Sequence, residues 1–288
     1  RLMYPGNFTY HSPETLEEVI QLLELYGSDA KLLAGGHSLV PMMKLRLVDY
    51  SHLIDLKKLR SSMSYIREEG GCIAVGALTT HHQVETSDVL PQLLTEAASV
   101  IGDVQVRNMG TFGGSLAHAD PAADHPAAAL ALDAEIVAQG SGGRRSIQTE
   151  DFFQDFFSTA LEASEVLVEI SFANPAAGTG SSYLKYPHPA SGYAVCGVAA
   201  VLTVDGDETC SHCRVAVTGI SGGDYRAHGV EGLLEGQEIS PELLSDAAQK
   251  VTDGIDPMED YFASADYRRS LAATYAKRAL TTAWERAG

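Results

Sequence analysis

Cysteine is scarce. The four residues at positions 72, 196, 210 and 213 are too few and too unevenly spaced in 288 residues for a disulfide framework, which points to a reducing compartment. Basic residues are also outnumbered: 20 Lys and Arg stand against 38 Asp and Glu, a formal net charge of −18. Nucleic acid and anionic membrane surfaces need a positive footprint, so neither is expected as the main partner. No apolar run reaches the roughly 20 residues that span a bilayer, so no transmembrane segment is expected. The opening Arg1-Leu2-Met3-Tyr4-Pro5-Gly6 lacks the apolar core of a signal peptide. The expected location is the cytoplasm, with contact to the inner face of the membrane only through partners. No internal repeat of about 20 to 50 residues is found, which excludes a solenoid. What is present is a 45% hydrophobic content, ample for a large core and inconsistent with disorder.

The apolar pattern predicts a helix over residues 12–27, with Ser12 as N-cap, Pro13 at its first position, Glu14, Glu17 and Glu18 near the positive end of the dipole, and Gly27 closing it. A short strand at 31–34 follows, then the turn Gly35-Gly36-His37-Ser38 and an apolar-basic segment. From about residue 56 the pattern changes to short strands such as 72–76, a helix near 91–101, a second glycine turn at 111–115, an alanine-rich helix at 126–134, and strands near 135–138, 144–149 and 166–172. Residues 175–182, rich in Gly, Pro and Ser, read as a linker. Beyond them, 193–204 and 214–220 flank the polar turn 205–208 as a hairpin or meander, and helices are expected at 241–253 and 264–286, the last with Leu271, Tyr275, Leu280 and Trp284 as a buried stripe. The pattern is α+β, in a long N-terminal portion and a smaller sheet-plus-helices portion.

Two turns share one design: Ala34-Gly35-Gly36-His37-Ser38 and Thr111-Phe112-Gly113-Gly114-Ser115. Consecutive glycines let backbone N–H groups converge on an anion, and a neighbouring hydroxyl adds a donor, so a pyrophosphate is the natural guest. Neither turn is Gly-x-Gly-x-x-Gly or carries Gly-Lys-Ser/Thr, so neither a Rossmann nor a P-loop site is indicated. Asp124 could accept from a ribose or ribityl hydroxyl, or it could cap the alanine-rich helix.

The segment from Leu33-Ala34-Gly35-Gly36-His37-Ser38-Leu39 to Arg46, and the segment from Val106 to Pro121 around Thr111-Phe112-Gly113-Gly114-Ser115, resemble the two FAD motifs of the flavin-binding medium subunits of molybdenum-containing carbon monoxide dehydrogenases. These belong to the xanthine oxidase family of molybdo-flavoproteins. The resemblance extends over essentially the whole chain, through Val166-Leu167-Val168, Tyr183-Leu184-Lys185-Tyr186 and Gly192-Tyr193-Ala194. It implies an α+β fold with a two-subdomain VAO/PCMH-like FAD-binding region, residues 1–55 and 56–177, followed by a C-terminal domain at 178–288 built from a three-stranded antiparallel sheet and a helical bundle. FAD would be the cofactor of this chain. Molybdopterin and two 2Fe–2S clusters would lie in a large molybdenum subunit and a small iron–sulfur subunit, assembled as a dimer of heterotrimers.

Carried over residue by residue, the resemblance gives Leu32, Leu33, Ala34, Gly35, Gly36, His37, Ser38 and Leu39 as the segment wrapping the diphosphate. Thr111, Gly113, Gly114 and Ser115 would form a second wall. Asp124 would hold ribityl or ribose hydroxyls, Leu167 would make a main-chain contact near the adenine half, Lys185 would place a positive charge near the flavin, and Tyr193 and Ile101 would pack close to it. No side chain is expected to act as a catalytic acid, base or nucleophile. The implied activity is electron transfer for the oxidation of carbon monoxide; a related complex acting on an N-heterocycle or other organic substrate, and a non-redox scaffold, are the alternatives.

Other constellations carry less. His118, Asp120, Asp124 and His125 fit no single face of a helix or strand, which argues against a metal site. Cys210-Ser211-His212-Cys213 has no second ligand pair, so exposed thiols without a role are expected there. His81-His82 reads as solvated surface. Arg268, Arg269, Lys277, Arg278 and Arg286 read as a solvated or subunit-facing side of the last helix.

Overall fold

Three short strands, Thr9–His11, Ala30–Leu33 and His52–Asp55, pair in parallel with His52–Asp55 in the middle. This computed structural model describes residues 3–288; Arg1 and Leu2, within the opening read for a leader, lie outside the described residues. The helix that crosses over between the first two strands is Leu16–Tyr26. It begins later than the sequence suggested, because Thr15 rather than Ser12 caps it by accepting from the Glu18 amide. Val19, Ile20 and Leu23 on one face are buried, and Gly27 ends the helix at a positive φ.

A five-stranded antiparallel sheet follows, ordered Ile66–Glu69, Cys72–Gly76, Val166–Ala173, Glu135–Gly140, Gly143–Gln148. Its central strand arrives late in the chain. Between Gly76 and Glu135 five helices are inserted: His81–Glu85, Gln92–Ser99, Val104–Met109, Phe112–His118 and Asp124–Ala131.

The C-terminal sheet is four-stranded rather than three-stranded: Thr179–Pro187, Ala194–Val204 and Cys210–Thr218 are joined by the two-residue strand Tyr225–Arg226, all antiparallel. The fourth strand was invisible in a polar, glycine-containing stretch. This sheet is buried on both faces. Tyr183, Ala199, Val201 and Ala216 join the core of the N-terminal portion, against the helices Gln92–Ser99 and Asp124–Ala131. Val198, Ala200, Leu202, Val215 and Val217 face a second core under the helices His228–Leu234, Pro241–Ala248 and Ala265–Ala287.

The expected linker shrinks accordingly. Thr179 to Ser182 are paired strand, opposite Thr203 to Ala200. Gly180 has no room for a side chain because a Cβ there would overlap the Ala283 carbonyl of the last helix, and Ser182 donates its hydroxyl to the Ala279 carbonyl at 2.9 Å. Small polar residues here serve close packing, not flexibility.

On the last helix, Leu271 and Leu280 are buried as expected, while Tyr275 and Trp284 are only partly so. Ala272, Ala276, Ala279 and Ala283 make the close approach to the sheet. Arg268 is not solvated: its guanidinium donates to the Val195 carbonyl at 2.8 Å, to the Gly219 carbonyl and to Asp260. Arg286 binds Glu96 at 2.6 Å and the Ser181 carbonyl at 2.7 Å. Cys210 and Cys213 are buried, since an irregularity in the pairing at Thr203 and Val204 lets both face the second core. No helix among the described residues is long and apolar enough to cross a membrane.

Candidate functional site

The first glycine turn leaves the end of Ala30–Leu33 and enters the helix Leu39–Lys44. Gly36 takes a φ of 74°, a region open to glycine. Gly35 lies against the backbone of Met109 and Gly110, where a Cβ would overlap the Met109 carbonyl, so the two motifs are in direct contact. The amides of Gly35, Gly36, His37 and Ser38 find no acceptor among the described residues. Buried backbone donors are nearly always paired, so four successive open amides in a partly covered turn make a site for an anion. His37 is exposed and its Nδ1 lies 2.8 Å from the Gly35 carbonyl. Leu32, Leu33, Ala34 and Leu39 are half-buried around the turn.

The second motif is built differently from the expectation. Residues 112–118 are a helix, capped by Thr111, whose hydroxyl accepts from the Gly114 amide at 3.1 Å. The Phe112 amide donates to Thr79, Gly113 to Ala77 and Ser115 to Thr111. Its amides are therefore spent within the protein, and the glycines are there for packing: a Cβ on Gly113 would strike Ala77. What remains toward a ligand is the partly exposed Ser115, with Thr111 itself buried.

Asp124 is the first residue of its helix, and Ala123 is the cap. Its carboxylate accepts from the Tyr183 hydroxyl at 2.6 Å and from the Lys185 ammonium at 2.8 Å. Burial pushes the Asp124 carboxyl up, while Lys185 and Tyr183 pull it back. Lys185 also donates to the Val100 carbonyl at 3.1 Å, next to the half-buried Ile101. The positive charge expected of Lys185 is thus balanced by Asp124. Tyr183 was missed because a tyrosine on an apolar strand carries no signal beyond its burial.

Tyr193 sits at the end of the loop that precedes Ala194–Val204, 42% exposed. Its phenol is pushed up by burial and by Asp120, with the Ser38 hydroxyl as a partner acting the other way. The loop thus brings the phenol close to the first turn and to Asp120. Leu167 stays apart: its side chain is in the core, opposite Ala138 in the five-stranded sheet. Its neighbour Val168 accepts from Ala77, which in turn accepts from Gly113, so the strand supports the second motif through the backbone.

The histidines of the region turn away from one another. His118 packs on Phe157, whereas His125 faces His81, Nε2 to Nδ1 at 3.1 Å, with Phe112 edge-on to its ring. Among the described residues no group of three His, Cys, Asp or Glu is placed to hold a metal ion. His81 is buried, not solvated as its polar sequence neighbourhood suggested.

Four open amides, the Ser115 hydroxyl and Tyr193, near the buried Asp124–Lys185 ion pair, form a site that fits a dinucleotide diphosphate. The chain belongs to the family of FAD-binding domains of molybdopterin dehydrogenases: residues 6–175 match that family's model and residues 181–283 match the CO dehydrogenase flavoprotein C-terminal domain. It is 41% identical to the carbon monoxide dehydrogenase medium chain of Hydrogenophaga pseudoflava over 287 residues, 99% of each chain. A structure of carbon monoxide dehydrogenase from the same organism, lacking the Mo-pyranopterin moiety, superposes with a TM-score of 0.94, covering 98% of this chain and 99% of that one at 42% identity. Quinoline 2-oxidoreductase from Pseudomonas putida 86 superposes with a TM-score of 0.91, covering 99% of both chains at 34% identity.

Proposed function

We propose that this chain is the FAD-carrying electron-transfer subunit of a molybdenum hydroxylase of the carbon monoxide dehydrogenase type. The observation that carries the reading is the run of open amides from Gly35 to Ser38, set in a chain that matches the flavin subunits end to end. A partner large subunit would convert CO and H2O to CO2, two protons and two electrons, and a small subunit with two 2Fe–2S clusters would relay the electrons. FAD, when bound, supplies a centre that takes electrons singly and releases them singly or in pairs to an external acceptor. This chain's residues bind and orient. The Gly35 to Ser38 amides hold the diphosphate against an overall field of −18, and Ser115 and Thr111 flank it. Tyr193 and Ile101 cover the ring, Leu167 contributes its main chain near the adenine half, and the Asp124–Lys185 pair offers a charge-balanced edge to ribityl hydroxyls.

The same proposal divides the chain into residues 1–55, 56–177 and 178–288. The first two form a VAO/PCMH-like pair of subdomains, supported by the parallel three-stranded and antiparallel five-stranded sheets. Assembly as a dimer of heterotrimers in the cytoplasm belongs to it as well. The similarity to quinoline 2-oxidoreductase supports a second reading in which the complex oxidises an N-heterocycle. The purified complex separates the two by which substrate, CO or a heterocycle, bleaches the flavin absorbance near 450 nm. A chain that purifies colourless and takes up no added FAD would instead be a scaffold, and the flavin reading would fall.

A further inference from the structure

The His81–His125 pair lies beneath both motifs and has no role in the assignments above. The His81 side chain makes no hydrogen bond outside this pair, and its ring edge rests on Gly110: a Cβ there would stand 2.7 Å from both Nε2 and Cδ2. Gly110 is also the residue against which Gly35 packs, so only this glycine separates the imidazole from the first turn. The main chain agrees, since the His81 amide donates to the Gly110 carbonyl at 3.0 Å.

The pattern of partners fixes which nitrogen carries which proton. His125 Nδ1 is sealed from solvent with no partner. A sealed, orphaned N–H is rarer and costlier than a bare lone pair, so Nδ1 is unprotonated and the proton of His125 sits on Nε2. That Nε2–H donates to His81 Nδ1 at 3.1 Å. His81 Nδ1 is then an acceptor, and because the ring is neutral its own proton sits on Nε2. Burial, with the charges of His37 and Arg107 nearby, pushes the His81 pKa down to about 4. Nε2 has no acceptor among the described residues, yet unlike His125 Nδ1 it keeps contact with solvent.

We propose that His81 is a further ligand of the FAD diphosphate, its Nε2–H donating to a phosphate oxygen beside the Gly35 to Ser38 amides, and that His125 is the positioning residue that locks the donor tautomer. This rests on the flavin reading and adds a side-chain donor to a site otherwise made of backbone. A neutral donor suits a place already crowded by His37 and Arg107.

The test uses the full chain stripped of flavin and titrated with FAD and with ADP, which keeps the diphosphate but lacks the ring. His81→Gln retains an N–H near the Nε2 position, whereas His81→Asn retains a polar group only near Nδ1. Loss of a hydrogen bond to a charged group corresponds to about a ten- to hundredfold weakening. His81→Asn is expected to weaken both FAD and ADP by about that factor and to move the 31P resonances of bound FAD, with His81→Gln within about threefold of the parent. His125→Phe, which leaves His81 in place, carries the test should His81→Asn fail to fold, and is expected to move the same resonances. Unchanged affinity and 31P shifts in His81→Asn, or in His125→Phe where that variant carries the test, would overturn the proposal. Equal losses in the Asn and Gln variants with unmoved 31P shifts would reduce His81 to a packing residue. A parent chain that binds neither ligand would remove the flavin reading itself.

Discussion

Replacing Lys185 with Met isolates the energetics of the buried pair. The two side chains are 3% and 6% exposed, so screening by water is slight. Methionine keeps the apolar stem of the lysine and leaves Asp124 with the Tyr183 hydroxyl alone. Breaking a buried ion pair from one side costs about 3–5 kcal/mol. A ceiling is set by protonation: holding a proton at pH 7 against an unfolded carboxyl value near 3.9 costs about 1.4 kcal/mol per pH unit, about 4 kcal/mol in all. A deficit of about 3–4 kcal/mol at pH 7 follows. Its sign with pH is fixed. Between pH 7 and 4 the folded variant binds a proton that the unfolded chain does not, so lowering the pH restores stability to the variant relative to the parent, by up to about 1.4 kcal/mol per unit. Urea unfolding of the flavin-free chains at pH 7, 6 and 5 measures this directly, and adding Asp124→Asn to Lys185→Met should recover a large part of the loss. A deficit under about 1 kcal/mol, or one that stays flat from pH 7 to 5, would refute the reasoning.

Three further outcomes are expected. Gly35→Val should lower the melting temperature as well as abolish FAD retention, because the new Cβ meets the Met109 carbonyl inside the protein; overpacking of this kind costs about 1–3 kcal/mol. Acid should destabilise the chain earlier than carboxylate titration alone would: His81, depressed to about 4, stays neutral while the unfolded histidine charges, so its share is intact above 6.5 and about 3 kcal/mol is lost between 6.5 and 4. His81→Gln should remove that share in a pH series of chemical melts and leave the share of the fully buried His125, which burial likewise holds well below the ordinary histidine value. Arg268→Met orphans the Val195 and Gly219 carbonyls and should cost several kcal/mol by urea titration, since each buried unsatisfied group costs about 1–3 kcal/mol.

Much of the fold was legible where one physical signal dominated. The hairpin around 205–208 and the helix with Val19, Ile20 and Leu23 followed their periods, and the strand after the inserted helices appeared near its predicted place. The first turn was legible as a turn because Gly35 must clear the Met109 carbonyl and Gly36 takes a positive φ, and its open amides are what the expectation of an anion there rests on. Failures occurred where two causes produce the same residues. Gly113-Gly114 looked like a second cradle, yet Thr111 caps a helix there and the glycines clear Ala77. Gly180 and its serine neighbours looked like a tether, yet they fit a strand under a helix. His81 and Arg268 carried charge types associated with surface, and only the tertiary partners His125 and Asp260 reveal why they are inside.

The C-terminal sheet, covered on both faces, bears on how such subunits can be recombined. Tyr183 and Lys185 reach from its first strand to Asp124, Thr218 donates to the Pro121 and Ala123 carbonyls, and Arg286 reaches Glu96. A C-terminal segment transplanted from a homologue would have to bring complementary partners for these crossings, or the host would be left with an unmatched buried carboxylate at Asp124. The seam between the two matched regions is easy to cut in sequence and hard to cut in energy, so chimeras should succeed only when the exchange carries the helix Asp124–Ala131 along with the sheet.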